Sequence, residues 1–432
     1  MALWPVHSDR ELSPAAPVLG PRERISRPLA CALGLQHVAA ISFAGLLVPK
    51  LTGMPISTTL LFSGIGTLLF LVLAGNQVPG YLGPSYAFLG PLAASAQDGV
   101  AAQLGGVLAA GLLLTALGIA VKALGIRFLE SLLPPVVTGA IVLLVGMSVT
   151  PVSVVFVIGQ PVLTAITVLA ILLVMLLGRG VVRRFAVLIG LLISWLAALP
   201  LGGLSAEATA AVSEAPWFGL PVFNTPVVHP NVVVAAIPAV VVLAAEYVAH
   251  IKAVSAVTGR NLDGRVGDAV IAGGLTSVVA GLSGGAPVTN SLGNLGVLAA
   301  SKVYATAPCA IGGVVVAALA FCPKFTAALA SVPYGVVAGA SIVVAGMIVR
   351  IALRIWRMSG VVLAAPVTLV LLIIAVVGGS SVLPLVFGDL RINGPVWGAV
   401  AILAGYPVLD GVRRAVARVR TRAAARTNAG PR

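Results

Sequence analysis

Apolar runs close to twenty residues long recur between residues 29 and 408, and none carries a Lys or Arg at its centre. Roughly 20 residues of helix span the ~30 Å hydrocarbon layer of a bilayer. Main-chain polar groups in lipid must be satisfied within the spanning structure, which leaves only helices and closed barrels. A barrel would show alternating segments of about 10 residues, and the sequence has none. Charged residues make up 9% of the 432-residue chain and the mean hydropathy is +1.12. A soluble domain carries roughly 25% charged residues, so these are too few to cover a surface facing water. The expected fold class is an all-α polytopic membrane protein.

The runs resolve into fourteen segments, here numbered 1 to 14. The first seven are 29–48, 58–74, 78–94, 101–124, 132–149, 162–177 and 185–201. The second seven are 232–251, 269–282, 284–300, 305–321, 327–349, 361–377 and 396–408. An odd number per half makes the second half enter from the opposite face, which gives two inverted repeats of seven. A short register agrees: LQHVAAI (35–41) lies over AEYVAHI (245–251), with Gln36 over Glu246. GPSYAF (83–88) likewise falls opposite GGAPVT (284–289).

Basic residues orient the chain. With the N-terminus inside, 23 of the 26 Lys and Arg fall in cytoplasmic regions, leaving Lys50, Lys324 and Arg391 outside. That split follows the positive-inside rule. It predicts an inner-membrane, multi-pass protein with both termini cytoplasmic. The run after the polar N-terminal tail is too long for a signal sequence and lacks a small-residue cleavage site, so it reads as a retained first span. The net charge of +14 therefore reads as an inner-leaflet charge bias rather than a nucleic-acid surface. Cys31, Cys309 and Cys322 lie in apolar segments without metal or disulfide spacing. No metal site, cofactor or enzymatic motif is expected.

Two features depart from ordinary spans. Glu246 sits well inside an apolar run, where a charged side chain costs roughly 3 kcal/mol on insertion scales. It is protonated, paired, or facing a wet cavity. His250 shares its helical face one turn on, as a proton relay, a tuner of the acid, or a satisfied core histidine. Gln36 and His37 are polar in the matching span. The second feature is a pair of broken segments, 78–94 and 284–300, rich in Gly and Pro and including Pro84 and Pro287. Proline removes a donor and ends a helix, and irregular backbone at membrane depth survives only where it is buried or lines a cavity. Half-helices starting there aim free N–H groups into that cavity. Together these groups suit a small, flat, hydrogen-bonding solute.

At these motifs the chain resembles the nucleobase–ascorbate transporters, the nucleobase–cation symporter-2 family, of the bacterial uracil/xanthine permease type. The likeness rests on Gln36-His37, YLGPSYAF (81–88), Pro134-Pro135, AEYVAH (245–250) and GGAPVTNSLGNLGV (284–297). It implies segments 3 and 10 broken by short antiparallel strands. It also implies a core domain of residues 29–125 and 231–323 and a gate domain of 126–204 and 324–409. The 1–28 tail, the extracellular loop 205–230 and the basic tail 410–432 flank these. By residue, the resemblance implies substrate contacts from Glu246, Tyr86, Ser291, Leu292 and Gly293. Glu246 and His250 would couple protons, and Gln36, His37, Thr289 and Asn294 would support the site. The chain departs from the family at Gly293, where Glu or Gln usually stands, and at Ser291, where an aromatic often does. The expected function is import of uracil or a xanthine-like purine by proton symport through alternating access, in a homodimer. The rival readings are a sulfate-permease-type anion transporter of similar architecture and an uncoupled nucleobase facilitator.

Overall fold

The computed structural model describes residues 18–428 apart from 180, 291–296, 299–300, 381–382, 384, 388–389 and 393. The first half runs α1 (Arg27–Thr52), α2 (Ile56–Leu73), β1 (Leu82–Pro84), α3 (Leu89–Ala94), α4 (Gly99–Leu124), α5 (Ile126–Leu132), α6 (Pro135–Gly159), α7 (Pro161–Leu177), α8 (Val181–Arg184) and α9 (Ala186–Ala198). A short outer helix, α10 (Ala206–Glu214), follows. The second half runs α11 (Pro230–Thr258), α12 (Val266–Ser283), β2 (Val288–Asn290), α13 (Thr306–Leu319), α14 (Pro323–Ala330), α15 (Tyr334–Met358), α16 (Pro366–Gly379), β3 (Leu385–Phe387), β4 (Leu390–Ile392) and α17 (Gly394–Asn428).

Proline sets where many helices begin. Pro135, Pro161, Pro230, Pro323 and Pro366 open α6, α7, α11, α14 and α16, where a missing N–H costs nothing and φ is already helical. α1 ends at Gly53 in the left-handed region (φ 78°), its N–H donating to Pro49 O, a conformation that suits a residue without Cβ.

Among the described residues, six helices are long and apolar enough to cross a bilayer, with mean hydropathy from 1.3 to 2.3. Between 33% and 67% of each such window is buried within the protein. The remainder leaves Val72, Ile158, Leu176 and Leu177 over 70% exposed, a surface that only lipid solvates well. Four shorter apolar helices accompany these, together with α13 and α14, which meet at a bend of 89°. The chain is a mostly helical, polytopic membrane-type protein.

Three details differ from the sequence reading. Segment 12 is interrupted: α14 stops at Ala330 and α15 starts at Tyr334, because Pro333 bars a helical conformation at the residue before it. The 205–230 loop holds α10, capped by Ser205 Oγ accepting from Ala208 N at 3.1 Å. The basic tail is helical to Asn428. Its Ala- and Arg-rich run favours helix, and Asp410 pairs with Arg413 and Arg414 at 2.6 Å each.

The helices pack in two groups. In one, α12 lies on α4 and α2 on α13, while α11 lies on α4 and α1 on α13. In the other, α15 lies on α6, with α7 on both α15 and α9 and α16 on both α6 and α17. Each contact of the first half has an image in the second. Small residues permit the close approaches. A Cβ on Gly64 of α2 would stand 2.7 Å from the Ala317 Cβ of α13, and one on Gly111 of α4 would stand 2.6 Å from Val278 N of α12.

Candidate functional site

β1 and β2 cross at the centre of the first packing group. They pair antiparallel, with Leu82 opposite Asn290, Gly83 opposite Thr289 and Pro84 opposite Val288. Strands of three residues cannot hold themselves together, and hydroxyls from neighbouring helices tie them down. Thr67 Oγ1 on α2 accepts from Leu82 N at 2.9 Å, and Ser277 Oγ on α12 accepts from Val288 N at 3.3 Å. These two ties are images of each other about the Gly83–Thr289 pair. Thr58 Oγ1 donates to Gly284 O at 2.8 Å, Thr59 Oγ1 accepts from Ala286 N at 3.3 Å, and Ser85 N donates to Pro287 O at 2.9 Å. Thr59 and Thr67 sit eight residues apart on one face of α2, a polar stripe in the sequence that motif reading passed over.

Beyond the crossing, Ser85 Oγ accepts from Ala87 N at 3.2 Å and starts a short 3₁₀ turn, Tyr86–Phe88. This presents Tyr86 to α11. Glu246 lies there, in electrostatic contact with the phenols of Tyr86 and Tyr247 and beside Thr289 of β2. Glu246 Oε2 and Thr289 Oγ1 are buried side by side and interact, but neither closes a well-formed hydrogen bond to another described residue. Buried polar atoms are rarely left so loosely engaged, and a carboxylate oxygen beside a hydroxyl makes a receptor for N–H and C=O groups of a ligand. Tyr247 is fully buried, stacks on Phe70 and donates to Val288 O at 3.4 Å.

His250, one turn on from Glu246, is engaged with the backbone before β1. Its Nε2 bonds Pro79 O at 2.8 Å. A carbonyl only accepts, so Nε2 carries the hydrogen, and Nδ1 is buried without a partner among the described residues. On α1, Gln36 is half-buried and His37 buried. His37 stacks parallel to Tyr81 at 6.3 Å and its Nε2 stands 3.9 Å from Cys309 Sγ of α13. His37 thus braces the approach to β1. Ser291, Leu292, Gly293 and Asn294 fall outside the described residues. Tyr247, Thr67, Ser277 and Pro79 were missed from sequence. Among them only Tyr247, flanked by acid and β-branched neighbours, carried a local signal.

One helical turn before Glu246, a narrow cleft separates the two packing groups. Ala87, Ala239 and Val242 line one wall, and Leu144, Ser148 and Ala399 the other. Its volume, about 10 Å³, is the space of a single water molecule.

The Permease family model Xan_ur_permease matches residues 30–385. The chain belongs to the nucleobase–ascorbate transporter family. Among its relatives is RutG of Escherichia coli (strain K12), a provisionally assigned pyrimidine permease. It is 37% identical over 393 residues, 87% of this chain and 88% of RutG. The uracil permease of Bacillus caldolyticus is 32% identical over 413 residues, covering 90% of this chain and 96% of that one. Among solved structures, the transmembrane domain of the cyanobacterial bicarbonate transporter BicA superposes with a TM-score of 0.59 at 14% identity. The match covers 83% of this chain and 98% of that domain, so the two share a fold. Members of the nucleobase–ascorbate transporter family are permeases, and the crossed strands with Glu246 beside them are the polar centre of this one.

Proposed function

We propose that the protein imports a nucleobase, uracil or a xanthine-like purine, by proton symport through alternating access. The observation that carries this is the buried pair Glu246 Oε2 and Thr289 Oγ1, loosely engaged with each other and beside Tyr86. A base edge offers N–H to the carboxylate and C=O to the hydroxyl, and its face offers a surface to the phenol ring. The relatives' names, uracil permease and pyrimidine permease, support the substrate class. Ser291, Leu292 and Gly293 complete the contacts in this reading, with Gln36, His37 and Asn294 as support. Gly293 lacks the second side-chain carboxylate or amide of the family, which leaves side-chain recognition of the base resting on Glu246 in this reading.

Fourteen segments in two inverted repeats would then form a core (29–125 and 231–323) moving against a gate (126–204 and 324–409). Both termini would be cytoplasmic and the protein a homodimer. The paired helix contacts and the mirrored Thr67 and Ser277 ties support the repeat. His250 donates through Nε2 to Pro79 O, so a transported proton can be held only at Nδ1 or on Glu246. An anion carrier of the same fold fits poorly, because a central carboxylate repels anions.

The test is thermal shift of the purified protein with uracil, thymine, xanthine, hypoxanthine, guanine and uric acid, followed by uptake with and without a protonophore. Stabilisation by at least one base is expected, with accumulation abolished by the protonophore. No shift with any base would sink the substrate class. Uptake insensitive to the protonophore would replace symport by facilitated diffusion.

A further inference from the structure

Two lysines tie α1 and α11 to the short helices that precede α15 and α6, at opposite ends of the molecule. Near the C-terminus of α1, Lys50 Nζ donates to Ala330 O and Val332 O, at the end of α14 and in the turn before α15. The same ammonium lies 4.7 Å from the centre of the Tyr334 ring, which stacks on Phe156 of α6 at 4.6 Å. At the other end, Lys252 Nζ of α11 pairs with Glu130 Oε1 of α5.

The ends are fixed by hydrogen bonds. Gln103 Nε2, early in α4, donates to Thr52 O at 3.0 Å, and Val227 N, just before α11, donates to Ala101 O at 2.8 Å. The C-terminus of α1 therefore shares a face with the N-terminus of α11. Lys50 stands at that face and Lys252 at the opposite one. The two bridges use corresponding elements of the repeat, although the register 35–41 over 245–251 sets Lys50 opposite Arg260 and Lys252 opposite Ser42. α1 matches α11, and α14 and α5 are the short helices that precede α15 and α6. Each lysine reaches from the first helix of one half to the short helix of the other.

They differ in strength. Lys50 is half-buried and holds two carbonyls at a helix C-terminus plus an aromatic face, all complementary to a cation. Lys252 and Glu130 are 46% and 45% exposed, where water and salt compete. The cleft between Ala239 and Ser148 lies on the α11 N-terminal side of Glu246, which is the side of the Lys50 face, and has room for about one water.

We propose that Lys50, clasping α14 and Tyr334 of α15, is the latch that keeps the cleft above Glu246 shut, and that Lys252–Glu130 is its weaker counterpart at the far face. The proposal rests on alternating access as read above. The unequal latches bias the resting protein toward closure at the Lys50 face. Transport then requires the Lys50 clasp to open and the Lys252 pair to close, and the reverse.

The experiment uses Ser148→Cys as a cleft reporter in proteoliposomes, labelled by a membrane-impermeant maleimide from the Lys50 face and corrected with the parent chain. Lys50→Met is expected to raise the labelling rate about tenfold, the effect of a shifted two-state population. Lys50→Arg, which keeps the charge, should label like the parent, and Lys252→Met should not raise labelling. If Lys50→Met does not fold, Tyr334→Leu serves, with a smaller increase. Labelling unchanged in a folded variant, or raised equally by Lys252→Met, overturns the latch. Base uptake by the parent is measured alongside. Its absence would sink the nucleobase reading while leaving the labelling result to stand on its own.

Discussion

Thr67→Val removes one hydroxyl and keeps the shape of the side chain. Thr67 is fully buried, and its Oγ1 is the acceptor for Leu82 N–H at 2.9 Å. Valine leaves that N–H without a partner in an apolar surrounding, which costs about 1–3 kcal/mol. The bond that Thr67 Oγ1 itself donates, to Ser63 O at 2.7 Å, matters less, since helix carbonyls keep main-chain donors. The cost falls on β1, whose Gly83 pairs with Thr289. If base binding needs the crossing already formed, affinity falls by up to the same free energy, roughly 5- to 150-fold at 1.4 kcal/mol per tenfold. The assay is calorimetric or thermal-shift titration with the base that binds the parent. Thr167→Val is the control. Thr167 is as buried, but its hydroxyl bonds only Leu163 O of its own helix, at 2.7 Å. Affinity for Thr67→Val within a factor of about two of the parent, with the same melting temperature, would refute the view that α2 holds the strand.

Other variants test separate links. Glu246→Gln keeps the shape but removes the charge of the bonds to the base, and charge-assisted bonds contribute about 1.5–3 kcal/mol; base uptake should fall at least tenfold and lose its dependence on pH, and unchanged accumulation would remove Glu246 from the mechanism. Gly111→Leu forces α4 off α12, where the added Cβ meets Val278 N at 2.6 Å and Gly274 O at 2.9 Å; a cost of about 1–3 kcal/mol or more should appear as a lower melting temperature and weaker binding, because Ser277 moves too. Trp356→Phe strips the 3.0 Å bond from Nε1 to Val136 O and leaves a gap against Gly139; stability should drop by about 1–3 kcal/mol with base affinity unchanged, since Trp356 binds α15 to α6, away from Glu246.

The sequence alone was enough for the membrane class, the helical content, and Glu246 and His250 on one helical face. Each of these is a local signal. Apolar run length is measured against a bilayer, and a carboxylate or a Gly-Pro pair in such a run is conspicuous because lipid penalises both. The permease family was legible for the same reason, since its motifs are short and contiguous. The pairing of Gly83 with Thr289 and the bond from His250 to Pro79 O each join residues more than 170 positions apart. Nothing within either stretch encodes the partner; the packing of α2, α12 and α11 around the strands chooses it. Thr67 and Ser277 escaped notice because a hydroxyl in an apolar helix has an ordinary explanation, a bond to its own backbone four residues back. Only the tertiary structure reveals the bond that each accepts from a strand. Lys50 was read only as one of three basic residues on the outer side. That its ammonium ends among carbonyls of α14 was decided by the break at Pro333, which leaves those carbonyls without helical donors and turned toward α1.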